Sequence, residues 1–526
     1  MTDLTAYVPP PWTTQHWAVT KPGAETSGGV VVCQNHDAAR AGIAVLDAGG
    51  NAADAAVAAA LALASVEPWN SGLGGIGFAV IRHPDGRAET LDFGPVAPAG
   101  LDPSLFPLTG KIKRDLFAWP EVVGDANIHG PLSFVIPSSV AGYGLLHETY
   151  GKLTRAQVFG PAVALARRGL PQDWFTTLKV ANAASTLKLY EESARIYLPG
   201  GLPPVAPYQG TPGFFRQGNL VTTLERLRDA GWRDFYEGGL ATDLVKDVTA
   251  LGGILTAADL AGCQAALRPA LGVDWRGLGT LWLAGGLTAA PTMAAVIEGM
   301  ARVPATGPDA AWYVAMSLAM RDAYAERLSG LGAAKETSET CTTHLTVTDR
   351  DGLSVSMTTT LLSSMGSRVV LPTTGVLMNN GVMWFDPAPG SPNHFAPGAR
   401  PLCNMCPAIF SDASGGLVVA GGASGGRRIL ASVYQLLAFL IDFRMAPEVA
   451  GAHPRIDVSG PEGVTADRRL GADILGALAL AGPCEVVEHA VLPVNFACPN
   501  AIVSNGGVRR GISDAMSPWS AAIGQG

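Results

Sequence analysis

The feature that most constrains the fold is a change of periodicity near residue 342. From about Ser139 to Ala325 apolar residues recur at helical spacing, as in Ala156–Arg168, Leu220–Ala230 and Ala310–Ala325. From His344 the period becomes two. His344–Thr348 alternates, Asp349-Arg350-Asp351-Gly352 reads as a turn, and Leu353–Thr360 alternates again, which predicts a β-hairpin. Further strands are predicted at Arg368–Leu371, Gly375–Met378, Ala408–Ser411 and Leu417–Ala420, and a helix at Arg428–Phe443. The order, a helix-rich part followed by a strand-rich part, shows no strict βαβ alternation. It predicts one layered α+β core to which both parts contribute strands.

The first part has its own signals. Residues 1–28 read as an arm, and His36–Gly50 as a helix closed by Gly49-Gly50. Asn51, with Asp54 three residues on, is a plausible N-cap for a second helix through Ser65. A glycine run, SGLGGIGF (71–78), leads into a strand that turns at Pro84-Asp85-Gly86. The polar stretch ERLSGLGAAKETSETC (326–341) has no apolar period and is expected to be an exposed loop.

Composition narrows the function classes. With 48% hydrophobic and 15% charged residues the chain has material for a large core and is not a disordered segment. A net charge of −8 without a Lys/Arg cluster excludes a nucleic-acid footprint. The longest apolar stretch, Ala52–Val66, is too short to span a bilayer and contains Asp54, so no membrane partner is expected. The N-terminus lacks the basic and apolar regions of a secretory signal, and the seven cysteines are sparse and odd in number. Both point to a reducing, cytoplasmic setting.

Four segments carry chemistry. Gly72-Leu73-Gly74-Gly75-Ile76-Gly77 fits the dinucleotide pattern, but a helix precedes it and a strand follows, the reverse of what that motif needs. The expectation is a tight connection lining a cleft, with no organic cofactor. Gly422-Ala423-Ser424-Gly425-Gly426 fits the nucleophile elbow of a serine esterase, with Asp442 and His453 or Asp467 and His489 as partners. The same glycines could instead present backbone N–H groups to an oxyanion. Cys403-Asn404-Met405-Cys406 lacks a second ligand pair for zinc and a thioredoxin-like context, so no metal is expected and a structural role is favoured. Cys341-Thr342-Thr343-His344 puts a threonine at a strand edge after the polar loop. A free N-terminal threonine carries its own base, because the α-amine can take the hydroxyl proton.

Several long segments, in order, resemble the γ-glutamyltranspeptidase family. They are DAGGNAADAAVAAALALASVEPWNSGLGGIGF (47–78), LDFGPVAPAGLD (91–102), TTHLTVTDRDGLSVSMTTTL (342–361), LMNNGVMWFDPAPG (377–390), PLCNMCPAIF (401–410) and GGASGGRRI (421–429). The resemblance implies a four-layer αββα N-terminal-nucleophile hydrolase. It implies a precursor cut between Cys341 and Thr342 into a large subunit (1–341) and a small one (342–526), the two together forming one core compatible with a dimer of heterodimers. It implies Thr342 as nucleophile, Thr360 as the threonine bonded to it, and Gly425 and Gly426 as the oxyanion hole. The substrate would be a small-molecule amide, with water or an amine as acceptor.

The family's γ-glutamyl clamp is altered. Its carboxylate-gripping Arg corresponds to Gly94, an Asn to Leu362, a Gln to Gly381, the Asp that holds the α-amine to Trp384, and a Ser-Ser pair to Cys403-Asn404. A buried ammonium or carboxylate without partners is costly, so γ-glutamyl compounds are expected to be poor substrates. An oxamate-like small amide or an acylated amine fits better. The stretch between Arg327 and Thr342 is also short for the family, and Arg368 is expected to be solvated. The readings set against this one are an esterase built on Ser424 and a non-catalytic relative of the family.

Overall fold

The computed structural model describes residues 21–113, 119–331, 340–460 and 462–526. Fourteen strands form two antiparallel sheets of seven. The first runs Ala521–Gly524, Val30–Cys33, Thr340–Thr348, Ser354–Ser363, Ile76–Arg82, Ala88–Phe93, Ala266–Pro269. The second runs Ala24–Thr26, Val508–Ser513, Cys498–Asn505, Leu417–Ser424, Ala408–Asp412, Gly279–Leu283, Leu271–Asp274. Successive strand side chains point to opposite faces, and the apolar clusters follow that alternation. Val31, Ala79, Ile81, Leu345 and Met357 face helices of the first part. Leu281, Phe410 and Val419 face the helices Ala290–Met300, Ala310–Leu331 and Arg428–Ile441. Phe78 and Val80 meet Ile409 and Val418 in the space between the sheets. The layers are therefore helix, sheet, sheet, helix, an α+β sandwich.

The helix Ala52–Val66 shows how the sequence sets one outer layer. Every residue in it is buried, as expected for a helix apolar all round. Its small side chains let the helices His36–Asp47 and Arg155–Arg168 approach closely. Asn51 and Asp54 close a reciprocal capping box at its start. The buried Asp54 carboxylate also accepts from Lys152 N at 2.8 Å, so its charge is spread over backbone donors.

Strands from both sides of position 342 alternate in the first sheet. Val30–Cys33 pairs with Thr340–Thr348, and Ile76–Arg82 with Ser354–Ser363. Neither portion holds a complete sheet.

Several expectations are corrected. The part called mainly helical contains the short strands Ala266–Pro269, Leu271–Asp274 and Gly279–Leu283, too brief or too exposed to show a period. Residues 326–331 are not loop but the last turns of the helix Ala310–Leu331. Arg327 draws that end inward by donating to the carbonyls of Thr288 and Cys403. Residues 332–339 of the expected loop lie outside the described residues. Arg368–Leu371 and Gly375–Met378 are not strands but a tight loop closed by a single bridge, Val370 to Leu377. Positive φ at Arg368 (63°) and Gly375 (69°) prevents a ladder there. Of the expected arm, residues 1–20 lie outside the described residues, and Ala24–Thr26 is an edge strand.

Candidate functional site

Thr342 stands where the hairpin register breaks. Cys341 pairs with Leu362 and Thr343 with Thr359, so Thr360 and Leu361 together oppose Thr342. Such a bulge bends the strand and re-aims the side chain it carries. Thr342, 3% exposed, donates its hydroxyl to Thr360 Oγ1 at 3.3 Å. Thr360 Oγ1 also accepts from Leu362 N at 2.7 Å, which holds it in place. Leu362 itself has φ 85°. That backbone costs a non-glycine residue roughly 1–2 kcal/mol. Full burial of the Leu362 side chain among Ile76, Met383 and Trp384 offsets it.

The next residue is tied down on the other face. Thr343 Oγ1 donates to Glu67 Oε2 at 2.5 Å, and Asn70 Nδ2 donates to Glu67 Oε1 at 2.9 Å. Glu67 follows the helix Ala52–Val66 directly, and burial pushes its carboxyl up to about 7, against the opposing pull of these hydrogen bonds and of Lys179. The glycine run behind it is needed for backbone approach. A Cβ on Gly74 would stand 2.3 Å from Leu377 O, and one on Gly75 2.6 Å from Thr360 O. This fits the expected tight connection, set directly behind Thr360.

Between the sheets a polar network registers the two halves of the site. His344 is wholly buried; its ring bonds Thr358 Oγ1 at 2.8 Å and Thr346 Oγ1 at 3.2 Å, and burial holds its pKa down to about 3. Ser356 Oγ donates to Gly421 O, and a Cβ on Gly422 would meet the His344 ring at 2.3 Å. Passing from Ser356 to Thr358 and His344 toward the bulge thus tracks Gly421 to Gly422, so the Gly425-Gly426 turn is carried toward the Thr342 end. Gly425 has φ 135° and Gly426 φ 61°. A Cβ on Gly425 would lie 2.8 Å from Ala497 Cα. Tyr324 Oη donates to Arg427 O at 2.6 Å and fixes the turn from outside. A hydroxyl held by a second hydroxyl, near glycine amides at a helix start, is equipped to attack a carbonyl and hold the resulting oxyanion.

The positions aligned with the γ-glutamyl clamp form one wall. Gly94 has no room for a side chain, because its Cβ would lie 2.2 Å from Phe78 Cζ and 2.6 Å from Arg400 Nη2. Arg400 thus brings a guanidinium to that place, but Asp92 holds it in a two-pronged ion pair. Gly381 is excluded from carrying a side chain by Val135, 2.3 Å from where its Cβ would be. Leu362, Trp384 and Cys403 share one apolar cluster, and Asn404 Oδ1 accepts from Arg327 Nη2 at 3.3 Å. Arg368 is not solvated: it donates to Ser363 Oγ at 2.7 Å and to Gly366 O. Sequence reasoning missed Glu67, Arg327, Arg400 and Arg427 as neighbours of the site. Each lies within or beside a segment already singled out, but no spacing marks its partner.

The other candidates are not assembled into sites. The hydroxyl of Ser424 takes its hydrogen bond from Gln34, and among the described residues no histidine contacts it. His453 bonds Pro454 O, Asp442 bonds Trp275, Asp467 bonds Arg469, and His489 faces Asp514. Cys403 and Cys406 are buried free thiols, pushed by burial to about 11 and 12. They are protonated at neutral pH and are not nucleophiles. Among the described residues no group of three or more His, Cys, Asp or Glu could hold a metal, and no helix is long and apolar enough to cross a membrane.

The family model described as gamma-glutamyltranspeptidase matches residues 38–338 and 331–514. The glutathione hydrolase proenzyme of Pseudomonas sp. (strain A14) is 31% identical over 488 residues, 82% of this chain and 81% of that protein. The acylase ACY 1 proenzyme of Pseudomonas sp. (strain V22) is 29% identical over 498 residues, 87% of each. The cephalosporin acylase of Bacillus halodurans has a TM-score of 0.83 over the whole of both chains at 23% identity, a likeness of fold. With the family model matching on both sides of Thr342 and a relative of 31% identity aligned over most of its length, the chain belongs to the gamma-glutamyltranspeptidase family.

Proposed function

We propose that the protein is a proenzyme that cuts itself between Cys341 and Thr342 and then hydrolyses an amide through an ester on Thr342. In the first step Thr342 Oγ attacks the Cys341 carbonyl carbon, the peptide C–N bond breaks, and the α-amine of Thr342 is released. Water then splits the Cys341 ester, leaving a new carboxylate and a free N-terminal threonine. In turnover the α-amine takes the hydroxyl proton, Oγ attacks the substrate carbonyl, and the departing amine leaves with that proton. Water, or a second amine, resolves the ester. The observation that carries this reading is Thr342 at the hairpin bulge, its hydroxyl 3.3 Å from Thr360 Oγ1, with the Gly425-Gly426 turn directed to the same end. The relatives named as proenzymes and acylases support it. The products are a large subunit, 1–341, and a small one, 342–526.

We further propose that the acyl group is not γ-glutamyl. No side chain fits at Gly94 or Gly381, and an indole stands at 384 where the resemblance implies a carboxylate. Intact mass under denaturing conditions, with N-terminal sequencing, tests the first claim. Two fragments, the smaller beginning Thr342-Thr343-His344, are expected from the wild type and one chain from Thr342→Ala. A wild-type chain that stays whole on long incubation refutes self-cleavage. Rapid release of nitroaniline from γ-glutamyl-4-nitroanilide refutes the second claim.

A further inference from the structure

The end of the sandwich remote from Thr342 holds a polar cavity between the sheets. Thr342 and Thr348 lie on one strand, about 20 Å apart at the rise of an extended chain. At the Thr348 end, the register aligns Arg82 with Ser354 and Ser354 with Thr348 in the first sheet. In the second it aligns Val418 with Ser504, and Ser504 with Arg509. Phe78 and Val80 point into the space between the sheets, and alternation turns Arg82 the same way. Under the hairpin turns at this end lies a cavity of about 480 Å³, lined by Arg82 from one sheet and Arg509 from the other. That volume is in the range of small-molecule sites. Arg82 is 7% exposed, yet its one hydrogen bond among the described residues runs from Nη1 to His83 O at 3.3 Å. Its Nε has no partner, and its Nη2 lies 3.4 Å from where a Cβ on Gly415 would stand. Arg509, also 7% exposed, donates through Nη1 and Nη2 to the carbonyls of Ser27 and Arg350, at 2.8 and 2.7 Å, while its Nε and the hydroxyl of Ser504 have no partner. Among the described residues neither guanidinium forms an ion pair. Three aspartates stand at the cavity, each engaged elsewhere. Asp412 accepts from Gly416 N and Ser414 Oγ at 2.9 Å each, Asp85 from Arg87 N at 2.9 Å, and Asp351 from Lys152 Nζ at 3.3 Å.

We propose that this cavity is a binding site for a small phosphate monoester, with its phosphate group on Arg82 and Arg509 supplying the second positive charge. A buried guanidinium without a counter-ion is costly, and a bound anion relieves that cost. Burial lowers the pKa of Arg82 against the opposing pull of Asp85 and Asp412, and that of Arg509 against Asp349 and Asp351, so these carboxylates offset the burial only in part. The planar donors of a guanidinium match two phosphate oxygens. A phosphate monoester carries close to two negative charges at neutral pH, one for each arginine, where a carboxylate carries one. The cavity is larger than a bare oxyanion needs. The aspartates and Ser504 can exchange hydrogen bonds with hydroxyl groups on the alcohol part of the ester. Nothing in this reading depends on Thr342, which lies at the other end of its strand.

The test is titration calorimetry of the full wild-type chain with glycerol 3-phosphate, inorganic phosphate and glycerol at matched ionic strength. Glycerol 3-phosphate is expected to bind one per chain, inorganic phosphate more weakly, and glycerol not at all. Thr342→Ala should bind the ester as the wild type does. Arg82→Gln should weaken the ester by about 10–10²-fold, the order of a lost charged hydrogen-bond donor. Arg82→Lys should weaken it less, because the charge stays while the planar fork is lost. Circular dichroism melts check that both variants are folded, and the ester should raise the wild-type Tm but not that of Arg82→Gln. No saturable heat from the wild type up to about 10 mM ester overturns the proposal without recourse to any variant. A folded Arg82→Gln that binds as tightly as the wild type overturns the placement of the phosphate on Arg82. Equal affinity for inorganic phosphate and the ester refutes the ester part and makes the free ion the ligand.

Discussion

Glu67 offers a quantitative test of how the site is built. Its carboxyl is buried beside the nucleophile strand, accepting from Thr343 and Asn70, and burial raises its pKa from 4.5 to about 7. The folded protein therefore holds this proton more tightly than the unfolded chain. Its contribution to stability is fully present below the unfolded value of 4.5 and is lost as pH rises through about 7. A shift of that size corresponds to about 3 kcal/mol. The perturbation is Glu67→Gln, which keeps the shape and stays neutral at every pH. His344 acts in the opposite direction, since a depressed histidine loses stability as pH falls below 6.5 toward about 3. The comparison must therefore be the difference between parent and variant at each pH, in which the His344 term cancels. Both proteins should carry Thr342→Ala so that the chain stays whole. Urea unfolding followed by circular dichroism at pH 4.5 and pH 8 should show the parent losing about 3 kcal/mol relative to the variant across that range. With a slope near 3 kcal/mol/M that is a relative midpoint shift of about 1 M. A difference between the two proteins that does not change with pH would show that Glu67 is not held as an uncompensated buried carboxyl.

Other expectations follow from single contacts. Thr360→Val removes the acceptor of the Thr342 hydroxyl and should slow self-cleavage up to about 10-fold, read as the rate of fragment appearance on denaturing gels. Gly425→Ala places a methyl 2.8 Å from Ala497 Cα at φ 135° and should displace the turn; loss of an oxyanion donor lowers kcat by about 10²–10³-fold. Gly422→Ala drives a methyl into the His344 ring and should destabilise the chain by about 1–3 kcal/mol in urea melts, with the hydrophobic layers outside the two sheets untouched.

Much of the sandwich is legible in the sequence because its strands alternate on a two-residue period and its helices are well capped. The hairpin Thr340–Thr348 with Ser354–Ser363, the capping box at Asn51, and the turn after Leu417–Ser424 are all local signals. What stayed hidden depends on distant partners. The strands between Ala266 and Leu283 run four or five residues each, and the pairing of Gly279–Leu283 with Ala408–Asp412 completes them. The end of the helix Ala310–Leu331 looks like a polar loop because Arg327, the residue that anchors it, is itself polar. Its anchors are carbonyls on chain segments up to 76 residues away. The bulge at Thr342 has no spacing signature, since the one-residue slip is a property of the pair of strands. Sequence resemblance could name Thr342, Thr360, Gly425 and Gly426; the structure adds the Thr342–Thr360 hydrogen bond and a buried His344 network that packs the strand of Thr342 against the strand leading to Gly425.

The altered wall of the cleft behaves as a unit. The absence of a side chain at Gly94 is matched by Phe78 and Arg400 filling its place, and that at Gly381 by Val135. Arg400 brings a cation to where an arginine side chain from position 94 would enter, yet Asp92 neutralises it, so that place offers little net charge. Arg327 enters the same region from the helix Ala310–Leu331 and donates to Cys403 O and Asn404 Oδ1. Restoring an arginine at 94 alone would meet the Phe78 ring and a like charge at Arg400, at a cost of several kcal/mol for a buried, unpaired cation. Leu362, at φ 85°, and the ring of Trp384 share one apolar cluster and make the rest of this wall apolar.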